Sequence, residues 1–498
     1  MKRVAVIDLG SNSVRLVIFE VLPKGFRVLD DMKESVRLEE GLDDSQNLSE
    51  ASMNKAILTL RMFQSVCFAY GAFIIAVATA AMRKANNRTE LMKRIEKETG
   101  IKIRLISGEE EAYFDYLGVI NSIEVTDGVI MDIGGGSTEL ILFEGKKIKE
   151  AVSLPFGSID LTKRFKLAEP VQPEYENSLN SFLQNAFKNI PWIEKEIKGP
   201  LIGVGGIIRN IGKIDRRRKA YPIDIAHNYE VALGDICEIY HAVKNLPTKD
   251  RSMIDGLSSD RADIFVGANA AVKVFMESTG IKKLITSGYG LREGLVFHYQ
   301  YNLPRGQTSV LDSSLENIMR IYQVDSRHGN HVYMLYSKLY SALKDVHLIQ
   351  EDLTRVNKAA ALLHDIGINV RFYDHHEHTF YLILNTGLNG LSHRELVLSA
   401  HIAASHRIKK FKLSLDEYRN MLNKGDKMLA RKAGVILQIA NSFDRSLDGK
   451  VKNLHCQVNK NSVIIRLESN NNNELEKKDA LCAAENFKKV FRKELIIM

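Results

Sequence analysis

Cysteine is scarce in this chain of 498 residues, which has only Cys67, Cys237, Cys456 and Cys482. The four are scattered, and no two of them have the CxxC spacing. This pattern argues against a disulfide framework and against a zinc site built from cysteines. It favours a protein of a reducing compartment, and we predict a cytoplasmic location.

Long hydrophobic runs are also missing. The longest stretch without a charged residue, 62–82, is divided by Gly71 and diluted by Gln64, Ser65 and Thr79. It reads as the end of a helix, a turn and the strand FIIAVAT rather than as a membrane span. Since Asp8 interrupts the only early apolar run, we also expect no secretory signal and no membrane partner.

The composition that remains is that of a large globular protein with an excess of positive charge. Apolar residues make up 45% of the chain and charged residues 26%, and the length suggests about three or four domains. The formal net charge is +8, with a pI near 9.0. This balance favours an anionic partner such as a nucleic acid, a polyphosphate or a nucleotide.

Strand and helix patterns alternate over the first 300 residues, which predicts an α/β architecture with partly parallel sheets. A polar stretch with proline and glycine follows at 302–314, and beyond it the pattern is mainly helical and rich in histidine. We predict domains at 1–124, 125–304 and 305–498. The last of these ends in a small α/β part that includes a hairpin near 453–470.

Two similar turns stand out in the α/β part. VAVIDLGSNSVRL at 4–16 and VIMDIGGGSTELI at 129–141 each close an apolar strand with an aspartate and a Gly/Ser turn, and Asp8 and Asp132 are 124 positions apart. A third glycine turn, GVGG, occupies 203–206. Such turns expose backbone N–H groups that bind phosphate oxygens, and the aspartates can hold a divalent cation. One turn in each half predicts a clamp for a chain of phosphates.

The three turns together resemble the actin-like fold of actin, sugar kinases and acetate kinase. Further segments narrow the resemblance to the exopolyphosphatase and guanosine-pentaphosphate phosphatase family, over about residues 1–300: ATAAMR (78–83), ISGEEEA (106–112), VSLPFGSIDLT (152–162), GVGGIIRN (203–210), DRADIFVGA (260–268) and SGYGLREG (287–294). The remaining third resembles the helical HD-type domain of long exopolyphosphatases, through LLHDIG (362–367), HHEHTFYLILN (375–385), ASHR (404–407) and LQIANSFDRS (437–446). The resemblance implies two actin-like (ribonuclease H-like) domains with a phosphate-binding cleft between them, followed by a mainly α-helical HD-type domain.

The family resemblance implies an exopolyphosphatase that releases orthophosphate processively from the end of inorganic polyphosphate by metal-assisted attack of water. Its alternative within the family is hydrolysis of guanosine pentaphosphate to the tetraphosphate, and one enzyme could have both activities. Two readings from other classes stay open, an actin-like kinase and a non-enzymatic sensor of an alarmone or polyphosphate. None of these readings involves a nucleic-acid partner. A homodimer is expected, because it is the commonest closed assembly.

The resemblance also implies roles for individual residues. Glu111 matches the catalytic base, with Glu110 as its rival, and Asp132 and Glu139 match positions associated with Mg²⁺ or Mn²⁺. The remaining matches are substrate-binding positions: Ser11, Asn12, Ser13, Arg15, Arg83, Gly134, Gly135, Gly136, Ser137, Gly205, Gly206 and Arg261. Arginine suits these positions because its planar fork can meet two phosphate oxygens.

In the third domain, the resemblance implies a site for one or two divalent metal ions. His364 and Asp365 form the His-Asp pair, His328 best fits the first ligand, with His331 as its rival, and Asp444 fits the last ligand. A second divalent metal or an outer layer of ligands would draw on His376, His378 and His406. The alternative role of this domain is to wall a channel for long polyphosphate or to form a dimer interface.

One basic run lies outside these motifs. KIDRRRKAYP at 213–222 has five basic residues within seven positions. We expect a solvated loop, or a patch that steers a polyanion towards the neighbouring GVGG turn.

Overall fold

The computed structural model describes residues 2–194, 196–301, 309–407, 415–469 and 472–498. The chain forms two compact units, Met1–Thr308 and Ser309–Met498. The predicted boundary between residues 304 and 305 lies outside the described residues. No helix in the described ranges is both long and apolar enough to cross a membrane.

The first sheet of unit 1 lies in the N-terminal part of the chain. Its strands are β1 (Lys2–Leu9), β2 (Val14–Leu22), β3 (Gly25–Glu34), β4 (Phe73–Ala78) and β5 (Ile103–Leu105). Their order is β3-β2-β1-β4-β5, with β1 antiparallel to β2 and parallel to β4. The accompanying helices are α1 (Glu50–Ala69), α2 (Ala80–Lys84), α3 (Arg88–Thr99) and α4 (Gly108–Ile120).

The second sheet repeats this arrangement. Its strands are β6 (Gly128–Ile133), β7 (Thr138–Glu144), β8 (Lys147–Leu154), β9 (Leu201–Val204), β10 (Tyr229–Ala232) and β11 (Lys283–Thr286). The order β8-β7-β6-β9-β11 corresponds to that of the first sheet, and β10 is added at the edge beside β11. The helices are α5 (Ser158–Phe165), α6 (Pro173–Lys188), α7 (Gly206–Arg218), α8 (Leu233–Lys244), α9 (Thr248–Arg251), α10 (Phe265–Thr279) and α11 (Leu291–Tyr301).

The central strands are apolar because both of their faces are covered. Along β1, Val4 and Val6 pack in one core, whereas Ala5 and Ile7 pack in another on the opposite face. All four are fully buried. A strand buried on both faces is expected to be continuously apolar, and Asp8 interrupts this pattern one residue before the strand ends at the fully buried Leu9.

Helices α4 and α11 approach each other unusually closely at glycine positions. A Cβ atom on Gly118 would lie 2.5 Å from the carbonyl oxygen of Gly290, and one on Gly294 would collide with the backbone of Phe114. Only glycine permits this approach. The close packing fixes α4 beside the start of α11 and therefore positions the polar residues that both helices present to the site.

Unit 2 is mainly helical. Its helices are α12 (Val310–Ile321), α13 (Ser326–Ala342), α14 (Lys344–His347), α15 (Thr354–Leu363), α16 (His375–Asn385), α17 (His393–Ala404), α18 (Asp426–Ser442), α19 (Glu474–Leu481) and α20 (Ala484–Phe491). Its strands are β12 (Val451–Val458), β13 (Ser462–Ser469) and β14 (Glu494–Ile497). Strands β12 and β13 form the hairpin expected near 453–470, and β14 adds a parallel third strand that the sequence pattern did not predict.

Short 3₁₀ segments complete both units. They span Leu38–Gly41, Ser259–Arg261, Ile366–Asn369, Ser405–Arg407 and Asp416–Tyr418. Two of them adjoin predicted ligands, because Ile366–Asn369 directly follows Asp365 and Ser405–Arg407 contains His406.

Candidate active site

The two Gly/Ser turns of unit 1 have the same backbone geometry. In the first, the N–H of Gly10 donates to the carbonyl oxygen of Ser13 at 3.2 Å, and in the second the N–H of Gly134 donates to that of Ser137 at 3.0 Å. Each turn joins the first two antiparallel strands of its sheet. Both turns therefore place their backbone N–H groups at the same end of equivalent strands.

The turns line one cleft of unit 1, whose empty volume is about 920 Å³ including its open mouth. Among the predicted substrate-binding residues, those that line it are Ser11, Asn12, Ser13, Arg15, Gly134, Gly135, Ser137, Gly205, Gly206 and Arg261. In the described part of the chain, the buried Ser11 Oγ and Asn12 Oδ1 have no hydrogen-bond partner.

The third turn closes the cleft beside Asp132. Gly205 has a φ of +90°, a conformation that favours glycine, and a Cβ there would collide with Asp132 Oδ1. Gly136, in contrast, is not among the residues that line the cleft, and a Cβ on it would meet the carboxylate of Glu39. The structure thus separates Gly136 from the other predicted cradle residues.

Helix α4 presents Glu111 to the cleft and keeps Glu110 away from it. The Glu110 carboxylate accepts a hydrogen bond from the N–H of Ser107 at 3.0 Å, and the Ser107 hydroxyl accepts one from the N–H of Glu110 at 3.1 Å. This reciprocal cap satisfies two free N–H groups of the first turn. Glu110 therefore has a structural task at the surface, whereas Glu111 is only 8% exposed and lines the cleft.

Arg83 holds the Glu111 carboxylate in place. Its Nη1 lies 2.7 Å from Glu111 Oε2, and its Nη2 donates to the Ser137 hydroxyl at 3.3 Å and lies 3.7 Å from Glu139. Arg83 is therefore engaged with protein groups beside the cleft rather than lining it. Burial, with repulsion from Glu139, raises the pKa of Glu111 well above its usual range, and the charge of Arg83 opposes this shift.

Several further carboxylates are buried around Glu111. Burial raises the pKa of Asp132 to about 6 and that of Glu139 to about 7, and it also raises the pKa of Asp8. Asp8 and Asp132 line the cleft, whereas Glu139 lies behind its wall at 1% exposure and accepts a hydrogen bond from Ser153 Oγ at 2.8 Å. Such a group of oxygen ligands suits a hard divalent cation.

Asp115, one turn beyond Glu111 on α4, completes this acidic group and was missed by the sequence analysis. It is fully buried, and neither of its oxygens has a hydrogen-bond partner of normal geometry within the described ranges. Burial raises its pKa well above the usual range, and repulsion from Asp132 and Glu111 adds to the shift. An aspartate in an apolar helical run, EEEAYFDYLGVI, gives little local signal that it is buried.

Arginine side chains supply the positive charge of the cleft. Arg15 and Arg261 line it as predicted, and Arg209 and Arg292 join them. Burial lowers the pKa of Arg209 to about 10, and the charges of Arg292 and Arg15 contribute to the shift. Crowded guanidinium groups favour an anionic ligand. Arg209 and Arg292 lie in the motifs GVGGIIRN and SGYGLREG, but neither was among the predicted site residues.

The basic run at 213–222 is not the expected loop. Most of it forms the last turns of α7, because the amphipathic pattern continues through Ile211 and Ile214, which are buried. Arg216, Arg217, Arg218 and Lys219 all pair with carboxylates, and Arg216 is itself buried. These pairs neutralise most of the charge that a steering patch would need.

Unit 2 brings three of its four predicted ligands together. His328, His364 and Asp365 form one group of candidate metal ligands, and Asp365, His375 and His406 form another. Asp444 is in neither group, because its carboxylate contacts His328 Nδ1 at 2.7 Å, on the far side of that ring. His331, the rival of His328, is in neither group. Of the three histidines predicted for a second metal or an outer layer of ligands, only His406 belongs to one of these groups, and His376 and His378 do not.

His331 is excluded from the ligand set by its own contacts. Its Nε2 lies 2.8 Å from the carbonyl oxygen of Val451, to which it can only donate, and its Nδ1 lies 3.0 Å from Asp444. Hydrogen bonding to Asp444 raises the pKa of His331. Burial instead lowers the pKa of His364 to about 4, which keeps this ring in the neutral form that binds metals.

Comparison with known proteins places these features in one family. Residues 17–302 match the model of the Ppx/GppA phosphatase family, and residues 310–486 match that of Ppx/GppA phosphatase, domain III. A guanosine-5'-triphosphate,3'-diphosphate pyrophosphatase of Pseudoalteromonas translucida is 30% identical over 418 residues, which make up 81% of this chain and 80% of the relative. One of Vibrio vulnificus is 27% identical over 457 residues, 90% of this chain and 88% of the relative.

Solved structures resemble unit 1 in length. The Ppx/GppA family member of Aquifex aeolicus is 27% identical with a TM-score of 0.53, and the match covers 60% of this chain and 97% of that one. An exopolyphosphatase from Cytophaga hutchinsonii is 24% identical with a TM-score of 0.57, and the match covers 61% of this chain and 99% of that one. The chain therefore belongs to the Ppx/GppA phosphatase family, which confirms the prediction of a phosphoanhydride hydrolase.

Proposed function

We propose that unit 1 is a Mg²⁺-dependent exopolyphosphatase that removes orthophosphate processively from the end of inorganic polyphosphate. The observation that carries this proposal is the position of Glu111, a buried carboxylate held by Arg83 at a cleft that two phosphate-binding turns line. The excess of basic residues over the whole chain favours a long polyanion as substrate.

In this proposal the turns hold the terminal phosphates and the arginines neutralise them. Backbone N–H groups at Ser11–Ser13 and at Gly134–Ser137 bind the oxygens, and the guanidinium groups of Arg15, Arg209 and Arg261 add charge-assisted hydrogen bonds. Arg83 fixes the Glu111 carboxylate. Glu111 orients a water molecule and accepts its proton as the oxygen attacks the terminal phosphorus in line with the leaving phosphate.

The donor set of the cleft fits a divalent cation. Asp132 and Glu139 would hold it, and Asp8, which also lines the cleft, adds a nearby carboxylate. Mg²⁺, or Mn²⁺ in its place, would offset the negative charge of the phosphoryl oxygens when it is bound.

Guanosine pentaphosphate is the second candidate substrate, because the curated relatives that match both units are named for it. They align over 80% and 88% of their own length, whereas the solved structure named exopolyphosphatase covers 61% of this chain. The same residues would perform the same hydrolysis at a 5'-triphosphate, and the nucleoside would need only an additional contact.

The remaining features of the proposal concern the whole protein. It is a cytoplasmic homodimer, and unit 2 is a domain of the HD type that helps to handle long chains. Deletion of 305–498 is expected to weaken hydrolysis of long polyphosphate more than that of short polyphosphate. Solved relatives of about the length of unit 1 indicate that the shortened chain folds. Equal effects on both substrates would contradict the role in chain handling.

The deciding experiment measures phosphate release from long polyphosphate and from guanosine pentaphosphate side by side, with and without Mg²⁺. Glu111→Gln should lower turnover by at least about a hundredfold, the lower range for the loss of a general base, while substrate binding is largely kept. Glu110→Gln is the matched control, because glutamine preserves the helix cap. Near-normal turnover of Glu111→Gln would contradict the mechanism, and release from the nucleotide alone would assign the second substrate.

A further inference from the structure

A short segment that does not line the cleft holds the first phosphate-binding turn in place. It consists of Arg37 and the 3₁₀ turn Leu38–Gly41 that follows it. The N–H of Arg37 donates to the carbonyl oxygen of Asn12 at 2.9 Å, and the N–H of Glu39 donates to that of Ser11 at 3.1 Å. Two consecutive peptide groups of the first turn are therefore fixed by this segment.

The side chain of Glu39 reaches from this segment to the second turn. The residue is 5% exposed, and its carboxylate lies so close to Gly136 that a Cβ there would be 2.4 Å from Oε2. Only glycine leaves room for this contact. The other carboxylate oxygen, Oε1, accepts a hydrogen bond from Lys84 Nζ at 2.6 Å. Glu39 thus connects the first turn, the second turn and a lysine of α2.

Lys84 extends the connection to the start of α5. Its Nζ lies 3.2 and 3.0 Å from the two carboxylate oxygens of Asp160, as well as 2.6 Å from Glu39. Asp160 Oδ2 in turn accepts a hydrogen bond from the N–H of Gly157 at 3.1 Å. One ammonium group therefore joins a carboxylate of the first α/β half to a carboxylate of the second.

The start of α5 holds the second turn as the 3₁₀ segment holds the first. The N–H of Ser158 donates to the carbonyl oxygen of Gly134, and that of Ile159 donates to that of Gly135, both at 2.9 Å. In each turn, two consecutive carbonyl groups are thus held by an outside segment. Glu39, Lys84 and Asp160 link these two outside segments to each other.

Arg37 forms a second link to the other half of unit 1. Its φ of +54° is uncommon for a residue with a Cβ atom, and such a conformation persists only where the surrounding structure holds it. Its Nη1 lies 3.0 Å from Asp263 Oδ2, and its Nη2 donates to the carbonyl oxygen of Asp260 at 3.3 Å. Lys33 pairs with the Asp260 carboxylate. Arg261, which lies between these two acids in the sequence, lines the cleft.

We propose that Arg37, Glu39 and Lys84 form a brace that sets the distance between the two phosphate-binding turns. The inference rests on the proposed function, in which both turns bind the same chain of phosphates. A phosphate chain must meet the donors of both turns at once, so an error in their separation weakens the contacts on both sides. Donors that are already in place need not be ordered when the substrate binds, which increases affinity. The three residues do not line the cleft and are therefore positioning residues.

The test measures binding of inorganic tripolyphosphate with Mg²⁺ to the full-length chain by calorimetry. The measurement uses the Glu111→Gln background, in which turnover is low. Addition of Lys84→Met removes the cation between Glu39 and Asp160 and should weaken binding by about tenfold, a usual size for coupling between two sites. Lys84→Arg should restore most of the affinity, because a guanidinium group can pair with both carboxylates. Lys93→Met, which replaces an exposed lysine of α3, should bind as the background does.

The possible results separate the brace from the proposed function. Unchanged affinity in Lys84→Met, or an equal loss in Lys84→Met and Lys84→Arg, would overturn the brace alone. A chain that carries only Glu111→Gln and does not bind tripolyphosphate would contradict the phosphate-binding cleft, and the brace with it.

Arg37→Gln tests the second link and covers the case in which Lys84→Met fails to fold. It should also weaken binding of tripolyphosphate, whereas Arg27→Gln, at an exposed position of β3, should not. Because both links fix the same distance, the double variant of Arg37 and Lys84 should lose less affinity than the two single losses combined. Unchanged affinity in Arg37→Gln, or strictly additive losses in the double variant, would overturn a single brace.

Discussion

The two strand–turn–strand hairpins of unit 1 share a backbone but differ in one charge. In the first, Asp8 on β1 pairs across the strands with Arg15 on β2. In the second, Asp132 on β6 pairs with Glu139 on β7. Arg15 and Glu139 are 124 positions apart, as are Asp8 and Asp132. The basic Arg15 of the first hairpin therefore occupies the position that the acidic Glu139 occupies in the second.

The difference indicates a division of labour. Residues directly opposite each other in an antiparallel pair lie on the same face, where opposite charges attract and like charges repel. The first hairpin is therefore nearly neutral by itself and can present Arg15 to a phosphate. The second hairpin carries two neighbouring carboxylates, which need a positive partner, and Arg83 at 3.7 Å from Glu139 supplies only part of it. A bound Mg²⁺ would supply the rest.

Glu139→Gln tests the acidic hairpin and should have the larger effect. Loss of a cation ligand removes several kcal/mol of stabilisation from the transition state, so turnover of polyphosphate should fall by at least about a hundredfold. The Mg²⁺ concentration for half-maximal rate should rise as well. A titration of the rate with Mg²⁺ measures both quantities.

Glu144→Gln, at the exposed end of the same strand, is the matched control and should behave as the wild type. If Glu139→Gln lowers the rate without changing the Mg²⁺ requirement, the carboxylate acts through Arg83 alone. The second hairpin would then not be the one that binds Mg²⁺.

Arg15→Gln tests the basic hairpin and should affect substrate binding. A hydrogen bond to a charged group contributes about 1.5–3 kcal/mol, so KM should rise by about tenfold or more while the Mg²⁺ requirement stays unchanged. The control is Arg27→Gln, which replaces an exposed arginine of the adjacent strand β3. An altered Mg²⁺ requirement in Arg15→Gln would show that the two hairpins do not divide their roles.

The turns of these hairpins could be predicted because their signals are local. An aspartate that ends an apolar strand, followed by glycine and serine, is visible in a few consecutive residues, and the second copy reinforces it. The preference for Glu111 over Glu110 came from the family resemblance, and the structure adds the physical reason, since the reciprocal cap with Ser107 engages Glu110 while Glu111 lines the cleft.

The missed residues depend on contacts between distant segments. Asp115 is buried because glycines let α4 and α11 approach each other. Two of these glycines, Gly118 and Gly290, are more than 170 positions apart along the chain. In unit 2, His375 was missed in favour of its neighbour His376, because the sequence HHEH does not reveal which ring faces the core. Asp444 looked like a ligand because of its residue type, yet it lies behind His328.

Asp115→Asn should have the smallest effect, and it appears in stability rather than in turnover. Burial raises the pKa of Asp115, so the native state keeps a proton that the unfolded state releases above a pKa of about 3.9. The native state then binds more protons, and the free energy of unfolding falls as the pH rises through this range. Asparagine does not titrate, so the free energy of unfolding of the variant does not fall in this way.

The measurement is the melting temperature in the presence of EDTA. The melting temperature of the variant relative to the wild type should increase between pH 4.5 and pH 8, by a few degrees at most for a unit of this size.

Asp127→Asn provides a control of the opposite sign. Asp127 is exposed and accepts a hydrogen bond from the N–H of Gly145 at 2.9 Å, which lowers its pKa. An acid with a lowered pKa adds stability that is lost as the pH falls from its unfolded pKa, about 3.9, towards its folded pKa. This variant should therefore lose stability relative to the wild type as the pH rises to about 5, and the difference should then stay constant up to pH 8. If Asp115→Asn shows no gain between pH 4.5 and pH 8 either, the buried Asp115 is ionised in the folded protein. The acidic side of the cleft would then carry one negative charge in addition to those of Asp132 and Glu139. Its need for a bound cation would be greater.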